Sequence, residues 1–320
     1  MSADRPFILA LDLGGTRFRL ALVDQTGKLH RRFVALTHAE DGREQVLRRI
    51  KEAAREMTSS VGLETVQGMG IAAPGPIDPV SGVLLTPPNL PGWENTPLKS
   101  LFEEEFRFPV YVGNDANLAA LGEHRYGAAR GVDDFVYITI STGIGGGIIS
   151  GGRLLLGAKG LAGEVGHMTI DLQGPQCSCG NTGCWEAMAS GSAIARTAIE
   201  RIKGGRESVI TSLVGAELEK VTSETVEQAA RSGDPLAQEV MAEAGTLIGV
   251  GLVNLIHIFN PRLIVIGGGV SKAGDLIFEP ARRIIAQRAM PPFREVEIIP
   301  AALGDDAGLL GAAVLVLDNT

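Results

Sequence analysis

The stretch FILALDLGGTRFRLALVD, residues 7–24, reads as an apolar strand that stops at Gly14-Gly15 and a second, antiparallel strand from Phe18 to Asp24, with Gly27 ending the pair. The two glycines let backbone N–H groups come close to an anion. Thr16 adds a hydroxyl, and Asp12 sets a carboxylate near the end of the first strand. The turn matches neither the GxxxxGK(S/T) pattern of a P-loop nor the GxGxxG dinucleotide fingerprint. A hairpin turn that holds no ligand is the plainer alternative for this motif alone.

The pattern recurs downstream. The apolar run FVYITI leads into STGIGGG, Ser141 to Gly147, and a further strand; RLIVI leads into IGGGVS, Ile266 to Ser271. Three glycine turns at the ends of apolar strands, including Thr142-Gly143 and Gly267-Gly268-Gly269, fit nucleotide phosphates and a purine ringed by backbone. None contains a lysine, so charge neutralisation falls to Mg²⁺, with Asp12 the nearest residue to orient it through water. The repeated strand, turn and strand point to two similar α/β lobes, each supplying half of a cleft.

The intervening segments support an α/β chain. Val46, Leu47, Ile50, Ala53, Ala54 and Met57 share one face of a helix over Glu44 to Met57. The strand VQGMGIAAPG ends at Pro74-Gly75-Pro76, and a short strand VYVG precedes a helix from Ala116 to about Tyr126. Asn114 and Asp115 fall at that junction, where helix N-capping is their ordinary role. The helix dipole also favours an ionised acid there by about 0.3–1 kcal/mol, and an ionised acid can accept a hydroxyl proton. Further on come a long helix over 237–259, a helix around 277–289, a strand EVEIIPA and a final helix from Ala307 to about Leu317. The polar region 204–232 reads as an insertion or a helical outgrowth. The run Ala244 to Phe259 is short of the roughly 20 apolar residues of a membrane span and contains Asn254 and His257, so a buried core helix is expected.

With 320 residues and 45% apolar content, the chain can bury the core of one or two domains. A net charge of -8 with no Lys/Arg run argues against nucleic acid as a partner. The start MSADRPFILALDL lacks the pattern of a signal peptide, so a cytoplasmic protein with small ligands and no membrane partner is expected.

All three cysteines lie in HMTIDLQGPQCSCGNTGCWE, His167 to Glu186. His167, Cys177, Cys179 and Cys184 are four N and S donors, the number and type that fill a tetrahedral zinc site, with Gly180 and Gly183 to fold the thiolates inward. An odd cysteine count and a cytosolic setting disfavour disulfides, and a catalytic thiol needs no two thiol neighbours. Four protein donors leave no open position, so the metal is structural. Glu164 and Glu186 bracket the loop, and acids held rigidly there could grip hydroxyls; solvated surface carboxylates are the alternative. His167 has a second ring nitrogen for a ligand or a supporting partner.

DLGGTRFR, APGPID, PPNLPGWEN, GNDANLAALGE, STGIGGG, EVGH, CSCGNTGCWE and IGGGVS, in this order, resemble the ROK family of sugar kinases over nearly the whole chain, most closely its bacterial glucokinases. The resemblance implies ATP-dependent phosphorylation of the 6-hydroxyl of a hexose, glucose first, on a two-domain actin-like ATPase (ribonuclease H-like) fold with an interdomain active-site cleft. It implies Asp115 as the base. Gly75, Asn89, Asn114, Asp115, Glu164, His167 and Glu186 would contact the sugar. Asp12, Gly14, Gly15, Thr16, Thr142, Gly143 and Gly267 to Gly269 would contact ATP and Mg²⁺. His167, Cys177, Cys179 and Cys184 would bind Zn²⁺. A smaller domain is expected over 1–112 plus 304–320 and a larger one, with the zinc loop, over 113–303.

The family's other members keep alternatives open: kinases of N-acetylmannosamine, N-acetylglucosamine, mannose or fructose share the frame, and polyphosphate is a possible donor in place of ATP. Relatives form homodimers or homotetramers. Sugar-responsive ROK repressors carry an N-terminal helix-turn-helix, for which a first strand starting by Phe7 leaves no room. A nucleotide-binding oxidoreductase is disfavoured because no GxGxxG opens a helix.

Overall fold

The computed structural model describes residues 6–87 and 89–320; the first five residues of the N-terminal segment and Pro88 of PPNLPGWEN lie outside the described residues. In chain order the elements are β1 (Phe7–Leu13), β2 (Arg17–Asp24), β3 (Leu29–Leu36), α1 (Arg43–Ser59), β4 (Val66–Ala73), β5 (Ile77–Asp78), β6 (Val83–Leu84), β7 (Thr96–Pro97), α2 (Leu98–Phe106), β8 (Val110–Asn114) and α3 (Asp115–Tyr126). There follow β9 (Phe135–Ile140), β10 (Ile144–Ser150), β11 (Arg153–Leu154), α4 (Trp185–Ala189), α5 (Gly191–Lys203), α6 (Ile210–Leu213), α7 (Ser223–Arg231), α8 (Pro235–Phe259), β12 (Leu263–Gly267), α9 (Asp275–Arg288), β13 (Glu297–Pro300) and α10 (Ala307–Leu317).

Two compact units form. The first comprises Met1–Asp133, Gly147–Gly163 and Ala302–Thr320, the second Asp134–Gly146 and Glu164–Ala301. The segments 113–133 and 147–163, both assigned to the second domain on sequence, sit with the first unit, the former because α3 packs along α10. Both α3 and β4 pack closely on α10: a side chain at Gly311 would run into the backbone of Leu118, and one at Gly70 of β4 into that of Ala312.

The first unit is built on a sheet of order β3-β2-β1-β4-β8. β1 and β2 form the antiparallel pair expected from residues 7–24, with Asp12 opposite Arg19 and Leu13 opposite Phe18. β1, β4 and β8 run parallel, and their register places Asp12 beside Ala72 and Ala73 beside Asn114. Ligands of open α/β sheets bind beyond the carboxyl ends of parallel strands. Asp12, Gly75 and the Asn114-Asp115 pair all fall at that edge. The apolar face of α1, from Val46 to Met57, is buried on this unit, as the periodicity predicts.

In the second unit β9, β12 and β13 run parallel, and the carboxyl ends of β9 and β12 lead directly into the second and third glycine turns. Strand β10 follows the second turn and continues, from Gly147 onward, into the first unit. Helix α8 is long and apolar enough to cross a membrane by length and composition, yet Val240, Met241, Ile248, Leu252, Leu255 and Ile256 are buried and the helix packs along α9. The polar region 204–232 holds α6 and α7; α7 starts in a Thr222–Thr225 capping box and lays Val226, Ala229 and Ala230 against the core beside α8.

Candidate active site

The first glycine turn is clamped by a residue that sequence patterning misses. Buried Thr37 donates its hydroxyl to Gly14 O at 2.6 Å and its N–H to Thr16 O at 2.8 Å, while Gly14 N–H donates to Arg17 O at 2.9 Å. Asn89 lies against the same turn, since a side chain at Gly15 would meet the Asn89 backbone. Asp12 pairs with Arg19 across the hairpin, Nη1 to Oδ2 at 2.8 Å. Burial nevertheless pushes the Asp12 carboxyl above the usual range; Arg19 opposes this, and Asp305 and Asp306 add to it. Those two acids, in the GDD run before α10, were also not singled out by the sequence. An acid pair just ahead of an apolar helix is the only signal that could have pointed to them.

At the β8–α3 junction Asn114 caps the helix: its Oδ1 accepts from Asn117 N–H at 3.1 Å, which leaves its amide nitrogen as a donor. Asp115 is exposed in the first helical turn, and its Oδ1 accepts from Ala116 N–H at 2.7 Å. The Asp115 carboxyl thus stands at the N-terminus of α3 with one backbone N–H on Oδ1, the place and group a general base would use. Near the far end of α3, fully buried Glu123 ties the helix to the loops that follow it and precede α10: its carboxylate accepts from Ala128, Ala302 and Leu303 N–H at 2.7, 3.2 and 2.8 Å.

In the second unit the structure gathers the four expected metal donors: the ligand atoms of His167, Cys177, Cys179 and Cys184 all lie within 4.8 Å of one another. Cys179 Sγ is 3.7 Å from Cys184 Sγ, and Cys177 Sγ is 3.7 Å from His167 Nδ1. Tetrahedral zinc with Zn–S bonds of about 2.3 Å puts its ligand atoms roughly 3.5–3.8 Å apart, so the donor set fits. Cys177 N–H donates to Asn181 O at 2.7 Å and Gly180 N–H to Cys177 O at 3.0 Å, which folds the loop back on itself. Without a cation, burial and the neighbouring thiols push the Cys184 thiol up to about 12, whereas the Asn181 N–H lowers the exposed Cys179. Nδ1 of His167 faces the thiols, and its Nε2 lies 4.0 Å from Glu164 Oε2.

Glu186 stands in the first turn of α4, two residues after Cys184, and its Oε2 accepts the N–H of Ile144 at 2.8 Å. It therefore meets the second glycine turn. The third turn meets it too, because a side chain at Gly268 would strike the backbone of Ile140, the residue before Ser141. The expected site residues thus form two sets. Asp12, Gly14 to Thr16, Gly75, Asn89, Asn114 and Asp115 belong to the first unit; Thr142, Gly143, Glu164, the Cys/His cradle, Glu186 and Gly267 to Gly269 belong to the second.

The pattern of the ROK family matches residues 8–319. A glucokinase from Thermotoga maritima is 38% identical over 98% of this chain and 98% of its own length. A ROK family glucokinase from Streptomyces griseus, solved in complex with glucose and AMPPNP, is 36% identical with a TM-score of 0.84, covering 98% of this chain and 99% of that one. A xylose repressor from Caldicellulosiruptor bescii is 34% identical over 98% of this chain and 78% of its own length. The chain belongs to the ROK family, and its two α/β units carry the actin-like, ribonuclease H-like fold that the motifs led one to expect.

Proposed function

We propose that the protein is an ATP-dependent hexose kinase that phosphorylates glucose at its 6-hydroxyl. The observation that carries the reading is the coincidence, on one chain alike over its whole length to glucokinases, of backbone turns at strand ends with an exposed carboxylate at a helix N-terminus. Backbone N–H groups at Gly14, Gly15, Thr16, Thr142 and Gly143 would hold the phosphates, with Gly267 to Gly269 beside the nucleoside. Asp115 would take the hydroxyl proton as the sugar oxygen attacks in line. Gly75, Asn89, Asn114, Glu164, His167 and Glu186 would hold the remaining hydroxyls. Positioning and charge neutralisation dominate such a loose transition state.

Mg²⁺ bound to the nucleotide would neutralise phosphate charge. Asp12, with one oxygen on Arg19, would orient it through a water. A Zn²⁺ in the Cys/His cradle would stiffen the loop between Glu164 and Glu186 and take no part in the chemistry, since four protein donors fill it. A cytoplasmic location, where ATP is supplied, and a homodimeric or homotetrameric assembly complete the reading; light scattering at working concentration tests the latter.

A coupled assay comparing kcat/KM over glucose, mannose, fructose, N-acetylglucosamine and N-acetylmannosamine, with ATP and with polyphosphate, tests the assignment. Glucose with ATP should rank first. Turnover confined to an N-acetylated sugar would move the protein to another kinase class, and sugar binding with no phosphoryl transfer would favour the regulator branch of the family.

A further inference from the structure

Ile144, the first residue of β10, is gripped from both sides by the two segments that carry the Cys/His cradle. Its N–H donates to Glu186 Oε2 at 2.8 Å. Its carbonyl lies so close to Gly166, between Glu164 and His167, that any side chain at Gly166 would collide with it. One residue earlier, Gly143 has no room for a side chain because the Glu186 carboxylate fills that space. The carboxylate is held by its surroundings in turn. Cys184 and Trp185 precede it, and fully buried Trp185 donates its indole N–H to Leu247 O of α8 at 3.1 Å. The turn's other flank is tied to the start of α5, where Gly191 N–H donates to Ser141 O at 2.7 Å.

We propose that Glu186 is a positioning residue for the 141–144 turn, so that the Cys/His cradle sets nucleotide affinity through one carboxylate oxygen as well as shaping the sugar site. The inference rests on the reading that Thr142 and Gly143 receive phosphate. Oε2 is committed to the turn and Oε1 is left for a sugar hydroxyl, so a single side chain serves both ligands. A hydrogen bond to an ionised acceptor is among the stronger ones in proteins, and a turn that lost it would have to be ordered at the expense of binding. The charge itself is unhelpful beside phosphate. What the turn needs is an acceptor, and this separates the proposal from a purely electrostatic role.

The test titrates AMPPNP into the zinc-loaded protein by calorimetry without sugar, in native, Glu186→Gln, Glu186→Ala and Glu186→Asp forms, with metal content measured for each. The Gln amide oxygen can still accept from Ile144, so its affinity should stay within about twofold of native or rise. Ala removes the acceptor and Asp withdraws it by one methylene; both should weaken nucleotide by about tenfold while zinc is retained. Equal affinity in native and Ala forms, or equal weakening by Gln and Ala, would overturn the positioning role and leave the kinase reading standing. Native protein that binds glucose but no AMPPNP would overturn both.

Discussion

Arg19 reaches across the first two strands to Asp12, and the pair sits 2.8 Å apart at the mouth of the first glycine turn. The contact does not fully offset the burial of Asp12, whose carboxyl is held above its usual range, with Asp305 and Asp306 adding like charge. A carboxyl of raised folded pKa favours folding at pH below the unfolded value of about 3.9, and that contribution is lost as pH rises through the folded value. At neutral pH the burial of this carboxyl therefore opposes folding. Such a cost, at the edge where phosphate is proposed to bind, is what a carboxylate kept for chemistry would show.

Asp12→Asn should accordingly unfold at a higher temperature than native protein at pH 7, with the gap closing as pH falls toward 4, and turnover should drop if the proposed Mg²⁺ is oriented through this carboxylate. Thermal melts across pH 4 to 8 beside initial rates check this. A variant less stable than native at pH 7 would show that the Arg19 contact outweighs burial.

At Asp115 the side chain is exposed, so changing it touches no core. Asp115→Asn keeps the size of the side chain and the oxygen that accepts from Ala116 N–H but removes the proton acceptor. Turnover should fall by about 10² to 10⁴, with glucose affinity and melting temperature near native. A rate within a few-fold of native would assign the base elsewhere.

Glu123 illustrates a buried charge whose value is structural. Its carboxylate accepts three N–H groups from the loops that follow α3 and precede α10, and no water reaches it. Glu123→Gln turns one oxygen into a donor that faces backbone donors, leaving a buried N–H without a partner. A loss of about 2–4 kcal/mol in urea unfolding is expected. A change below about 1 kcal/mol would mean that the loops rearrange around the amide.

Glycine turns, the β8–α3 junction and the cysteine loop were legible because each places a special residue type at an abrupt break in apolar periodicity. Strand β3, LHRRFVAL, was not: it is an edge strand with His30, Arg31 and Arg32 in its middle, and Phe33 and Val34 are 37% and 44% exposed, so no alternation marks it. The two-residue strands β5, β6 and β7 are too short to have a period. Helix α2 buries only Leu98, Phe102 and Phe106 on one short face. Thr37 and Glu123 escaped for a different reason. Each acts through backbone groups far along the chain, 23 residues away for Thr37 and about 180 for Glu123, and such partners appear only once the chain is folded.

Cys179 is exposed, whereas Cys177 and Cys184 are buried, so Cys179→Ser removes one thiolate with the least disturbance of packing. Three remaining donors hold zinc far less tightly, and a serine hydroxyl is a poor substitute for a thiolate. The purified variant should contain little zinc, bind glucose at least tenfold more weakly as Glu186 and His167 lose their fixed positions, and show faster proteolysis between 167 and 186. Trp185 anchors the far end of the loop to α8 independently of any metal, so the global melting temperature should move less than the glucose affinity does. Mass spectrometric metal analysis with glucose titration decides it: native protein free of zinc, or a zinc-free variant with native glucose affinity, would remove the cradle from the account of sugar binding.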